Sequence, residues 1–82
     1  DVTMPFSPAE RAVLLAVKGV GPTVVRRLEE YGISDLRTLS GHQADALCAE
    51  ISQRLGSTCW RNSPLARKAL EGAIEVARMT IG

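Results

Sequence analysis

An all-α domain of about five short helices is the fold class that this chain predicts, and three features lead there. Apolar residues recur every three or four positions, most regularly at Ala44, Leu47, Cys48, Ile51 and Leu55. Serine, proline and glycine punctuate those stretches in helix order, serine or proline before and glycine after. No stretch alternates apolar and polar residues as a half-buried strand does.

The first helix is expected from Pro8 to about Val17, since Ser7-Pro8-Ala9-Glu10 supplies both halves of a capping box with proline at the first helical position. Its interior from Ala12 to Val17 is wholly apolar. A helix apolar on all sides is a buried one, so this helix is expected at the centre of the fold. The second helix begins at Pro22 and ends near Tyr31, with Gly32 as the left-handed residue after its last turn. Val24, Val25 and Leu28 form its inward stripe, and Arg26, Arg27, Glu29 and Glu30 fall outside it, where solvent is expected. Between Val17 and Pro22 there is room only for a tight hairpin.

Ser34 is expected to cap a short third helix running to about Leu39. Ser40 and Gln43 form a second capping box that starts the fourth helix, and Gly56 ends it. Cys48 lies in the apolar stripe of that helix and reads as a small core residue rather than a nucleophile. A loop follows over 57–63, and Ser63-Pro64 opens the last helix. Along it Ala66, Ala69, Ala73 and Ala77 let another helix approach closely.

With 82 residues the chain forms one domain, 1–82, of a size that buries only about 60% of its unfolded surface. Apolar residues make up 45% and charged residues 23%, which excludes a disordered tail. Ten Lys and Arg stand against nine Asp and Glu, a net charge of +1, so the global field steers weakly and any contact with a polyanion has to be local. Between Ile51 and Leu70 the cations Arg54, Arg61, Arg67 and Lys68 occur with no acid among them, as either a solvated face or a basic patch. Cys48 and Cys59 have no metal-site partners, since His42 is the only histidine, so free thiols are expected. There is no evident secretory leader and no apolar run of about 18 residues, so the expected location is cytoplasmic, away from membranes.

Catalysis is not expected, because no paired carboxylates, metal ligands or nucleophile-base pair stands out. His42 reads as a solvated surface histidine and Lys18 as a surface lysine rather than a Schiff-base former. No cofactor and no small-molecule substrate are implied. Trp60, the only tryptophan, either closes the core or offers a face to a base or a partner. Arg61 beside it is a phosphate contact or a solvated loop cation.

Gly19-Val20-Gly21-Pro22 begins a helix whose N-cap has no side-chain oxygen, whereas every other predicted helix begins with a serine. The amides of Gly21, Thr23 and Val24 are then open to an outside acceptor, and the helix dipole adds roughly half a positive charge there. A phosphate oxygen suits that end. Gly19 and Gly21 admit positive backbone angles and close approach of another molecule, with Val20 pointing into the core. Glycines at a tight helix-helix turn also occur for geometry alone.

Residues 14–33, LLAVKGVGPTVVRRLEEYGI, resemble the helix-hairpin-helix family of DNA-binding modules. The likeness rests on an apolar helix end, the Gly-Val-Gly hairpin, a proline-started second helix with paired arginines, and a closing Gly-Ile. It implies a motif at about 12–33 within a compact SAM-like arrangement of short helices, with a helical C-terminal half over 40–80. It also implies binding of the DNA backbone without base reading: Gly19 and Gly21 shape the hairpin, the amides of Gly21, Thr23 and Val24 meet phosphate oxygens, and Lys18, Arg26 or Arg27 supply charge. Some members hold a monovalent cation on hairpin carbonyls, here those of Leu15, Val17 and Val20. Many such domains carry a second hairpin. Here LGSTCWRNSPLARKAL, residues 55–70, has the outline without Gly-x-Gly, as a degenerate partner using Arg61, Arg67 and Lys68. Thr23 stands where members that bind DNA firmly often have lysine, and Val25 where a small alanine is frequent. With the near-neutral charge, this leaves a second reading, a helical protein-interaction module or accessory subunit with a protein partner or as a homodimer.

Overall fold

The computed structural model describes residues 5–56, 60 and 62–81. They form five helices, α1 (Pro8–Leu15), α2 (Pro22–Tyr31), α3 (Leu36–Ser40), α4 (Ala44–Leu55) and α5 (Pro64–Ile81), with no strand among the described residues.

At the start of α1 the Ser7 hydroxyl oxygen accepts the Glu10 N–H at 3.2 Å, as the capping box predicts. The Glu10 carboxylate does not reach back to the Ser7 amide; it accepts the Ser7 hydroxyl proton and the N–H of Leu36, each at 3.2 Å, tying α1 to the start of α3. α1 ends at Leu15, two residues short of the expectation, where the Val17 N–H turns to the Leu14 carbonyl at 3.0 Å. Leu14 is its only buried residue, and Ala12, Leu15 and Ala16 are exposed. The expectation that α1 is central is therefore overturned: a short helix at the edge of a small domain leaves apolar residues in water, because polar surface is too scarce to cover everything.

The centre is α5, which touches all four other helices. Its 18 residues span about 27 Å, against a longest molecular dimension of 30 Å. Ala69, Leu70, Ala73, Ile74 and Ala77 are buried along it, and the alanines allow the close helix approach that their spacing predicts. Ser63 caps it as expected, accepting the Ala66 N–H at 3.2 Å.

α2 runs between the expected limits and closes on Gly32 at φ 111°. Glu29 is not solvated as expected: its side chain is 11% exposed, accepts the N–H of buried Phe6 at 2.9 Å and faces Arg11 at 3.9 Å. That carboxylate fastens the segment preceding α1 onto α2.

Two helix starts differ from their expectations. Asp35, not Ser34, caps α3, accepting the Thr38 N–H at 2.7 Å and placing Leu36 and Leu39 in the core. Ser40 belongs to the last turn of α3, where its hydroxyl donates to the Arg37 carbonyl at 2.7 Å. α4 therefore begins after Gln43 with no side-chain cap, and His42 lies in the α3–α4 turn. The Arg78 guanidinium fastens that turn to α5, donating to the Ser40 and His42 carbonyls at 3.0 and 3.1 Å.

The hydrogen bond from Thr38 holds the Asp35 carboxyl below its ordinary range. Asp35→Ala is expected to cost about 1 kcal/mol at neutral pH, with Asp35→Asn keeping most of the cap. A depressed folded pKa stabilises above the unfolded value and is lost as pH falls through the folded one. The gap between wild type and Asp35→Ala in urea titrations should thus be complete above about pH 4 and narrow below it.

In α4 Leu47, Cys48 and Ile51 of the predicted stripe are buried and Ala44 packs against the core, whereas Leu55, in the last turn before Gly56 ends the helix at φ 69°, is exposed. The Cys48 thiol donates to the Trp60 carbonyl at 3.0 Å, and burial pushes its pKa up, so it behaves as a core residue. Cys59 lies outside the described residues. Trp60 is half-buried and packs against the core.

Candidate nucleic-acid interface

The turn between α1 and α2 is seated on α5. Gly19 has φ +89°, a conformation that residues with a Cβ rarely adopt, and a Cβ built there lies 3.9 Å from that of Ala69. One turn further along α5, a Cβ on Gly72 would come within 2.7 Å of the Val17 side chain. Val20 plugs into the core, 6% exposed, and its N–H closes the turn on the Val17 carbonyl at 3.0 Å. Gly72 is the position that the small-residue pattern of the last helix did not single out. A Gly→Ala change inside a helix ordinarily gains about 1 kcal/mol. Here the stiff, β-branched Val17 has to yield, so Gly72→Ala is expected to lose that gain to overpacking of about 1–3 kcal/mol. Adding Val17→Ala should relieve the clash, so a double-mutant cycle in urea should show a coupling of at least about 1 kcal/mol.

Gly21 adopts φ −109° and ψ −178°, extended backbone open to any residue, so only Gly19 uses the positive angle expected of both. A Cβ at Gly21 would meet nothing within 4 Å. The first helical bond runs from the Val25 N–H to the Gly21 carbonyl at 3.2 Å. The N–H groups of Gly21, Thr23 and Val24 find no acceptor among the described residues. The first turn of α2 carries no acid.

An uncapped start is not unique to α2, contrary to expectation, because Gln43 leaves α4 uncapped as well. The two ends differ in charge. Asp45 sits in the first turn of α4, and Glu71 and Glu75 of α5 line the adjoining surface, so that end repels anions.

Among the basic residues, Lys18 is exposed beside the hairpin and Lys68 is exposed next to Ala69, and neither forms an ion pair among the described residues. Arg26 and Arg27 are engaged by Glu30, at 3.2 and 2.9 Å, and the Arg27 guanidinium, then Arg26, hold that carboxyl below its usual range. Arg67 lies two residues before Ala69, about 200° around the helix, and faces Asp45 at 3.8 Å, away from the hairpin. Arg61 lies outside the described residues. Lys18 thus adjoins the turn that carries the three free amides, Lys68 is the chain neighbour of the alanine beneath Gly19, and Arg67 faces Asp45.

Of the three carbonyls that the resemblance offers to a monovalent cation, that of Val17 already receives the Val20 N–H; those of Leu15 and Val20 belong to the same turn. No group of three or more His, Cys, Asp or Glu among the described residues is placed to hold a metal ion. No helix among them is long and apolar enough to cross a membrane. Comparison of the chain with family models, with curated proteins and with solved structures finds no match.

Proposed function

We propose that this chain binds the sugar-phosphate backbone of DNA without reading its sequence and without catalysing a reaction, in the manner of a helix-hairpin-helix module. The observation that carries this reading is the start of α2: three backbone donors without acceptors among the described residues, no acid in the first turn and open space at Gly21. Amides in that arrangement favour a tetrahedral anion, and the dipole of α2 adds to the attraction. Backbone donors read no base edge, so contacts of this kind position a duplex without specifying its sequence. Lys18 supplies the nearest mobile charge, and Lys68 flanks the seat of the hairpin on α5.

Anisotropy titrations of labelled duplexes test this reading. With two phosphates neutralised by Lys18 and Lys68, log affinity should fall against log salt with a slope of about −2, and Lys18→Ala should reduce that slope by about 1. Duplexes of unrelated sequence should bind alike. An absence of binding at low salt, or an affinity indifferent to salt, ends the reading.

A further inference from the structure

Along residues 71–79 of α5, a groove of about 530 Å³ runs between that helix, the α3–α4 turn and the start of α4. Ala44 and Ile74 line its apolar part, and Met79 beside them is 73% exposed. Three carboxylates line it as well: Asp45, Glu71 and Glu75. The opposing charge is small. Arg78 is the one guanidinium lining the groove, and its N–H groups are engaged by the Ser40 and His42 carbonyls. Arg67 reaches Asp45 only at 3.8 Å, with both side chains well exposed, and Glu71 and Glu75 have no ion pair among the described residues.

We infer that this groove is a docking site for a basic segment of a partner protein, one in which an apolar side chain is flanked by lysines or arginines. The apolar side chain would cover Met79 beside the half-buried Ala44, removing from water surface that the fold leaves open. The flanking cations would meet Glu71, Glu75 and Asp45. Complementary charge of this kind chooses the partner and its orientation, and exposed pairs add modestly to affinity. DNA is excluded from this face by the same carboxylates that would attract the segment. The hairpin rests on Ala69 and Gly72, and Met79, seven residues beyond Gly72 and about 10 Å further along the axis, lies in the groove, so the two contacts are separable along α5.

The probe is a fluorescein-labelled peptide with two leucines between pairs of lysines, together with a copy carrying serine for leucine and a copy carrying glutamate for lysine. The 82-residue chain is expected to bind the first peptide at low salt, to bind the serine copy several-fold more weakly and not to bind the glutamate copy. Glu71→Gln with Glu75→Gln should weaken binding about five-fold, with the difference shrinking at high salt. Met79→Ser should weaken it independently of salt. These positions are exposed, so melting curves should not move. Amide shifts of the wild-type chain provide a second measure, with changes expected at 42–45 and 71–79. Equal binding of the serine copy, indifference to the glutamine pair, shifts centred on 18–24, or no binding at all would each overturn the inference. Self-association that the peptide does not displace would assign the groove to a second copy and overturn it too.

Discussion

Leu70→Ala should lower the unfolding free energy by about 2–5 kcal/mol, out of a total of about 4–12 kcal/mol for a domain of this length. Leu70 has no exposed surface, and Ala69, Ala73 and Ala77 are buried beside it on α5. Alanines have no side-chain rotamers with which to fill the void, so little collapse is available from that helix and the loss should fall in the upper half of the range. Leu65, five residues earlier on the same helix, is 81% exposed, and Leu65→Ala should stay within about 0.5 kcal/mol. Urea unfolding followed through the fluorescence of Trp60 would read both, since that side chain is packed against the core. Similar midpoints for the two variants would contradict the burial of α5.

That contrast separates what local pattern specifies from what only the assembled fold decides. Ser7, Ser63, Gly32 and Gly56 act within a few residues of themselves, and each starts or closes the helix that its neighbours predict. The stripe of α4 is legible for the same reason, because period alone brings Leu47, Cys48 and Ile51 to one face. The run from Ala12 to Val17 has no such asymmetry. Being apolar on every side, it carries no signal of which side is covered, and only the position of α1 at the edge of the bundle decides that Leu14 is buried and Leu15 exposed. Ser34 and Asp35 are both competent caps, and the frame that puts Leu36 and Leu39 in the core selects the second. Ser40 and Gln43 have the spacing of a capping box, but α3 extends through Ser40 and removes it from that role.

The hairpin shows the same division. Its glycines and the missing oxygen at Gly21 are evident in the sequence, whereas its seat on Ala69 and Gly72 depends on a residue pair some fifty positions away along the chain. The engagement of Arg26 and Arg27 by Glu30 follows from spacings of four and three residues on a helix. Glu29 is different, because its partners Phe6 and Arg11 come from distant parts of the sequence, and no local pattern reveals them.

Gly21→Asp is expected to make the domain more stable and DNA binding weaker. The backbone at this position is extended and the space around it empty, so an aspartate fits without strain, and its carboxylate can accept an N–H of the first turn of α2. Relative to glycine such a cap gains only a few tenths of a kcal/mol, and the negative charge at the positive end of the helix adds about 0.3–1 kcal/mol. For a domain of this size the combined effect corresponds to a rise in Tm of about 2–8 °C. The same carboxylate would occupy donors proposed for phosphate and repel the anion. Hydrogen bonds to charged groups contribute about 1.5–3 kcal/mol each, so loss of even one should reduce affinity for duplex at low salt by at least about tenfold. Gly21→Asn has nearly the same shape without the charge, and it should lose less affinity; the gap between the two variants should close as salt screens the repulsion. A raised Tm with undiminished DNA affinity would show that phosphate does not meet the chain at this turn.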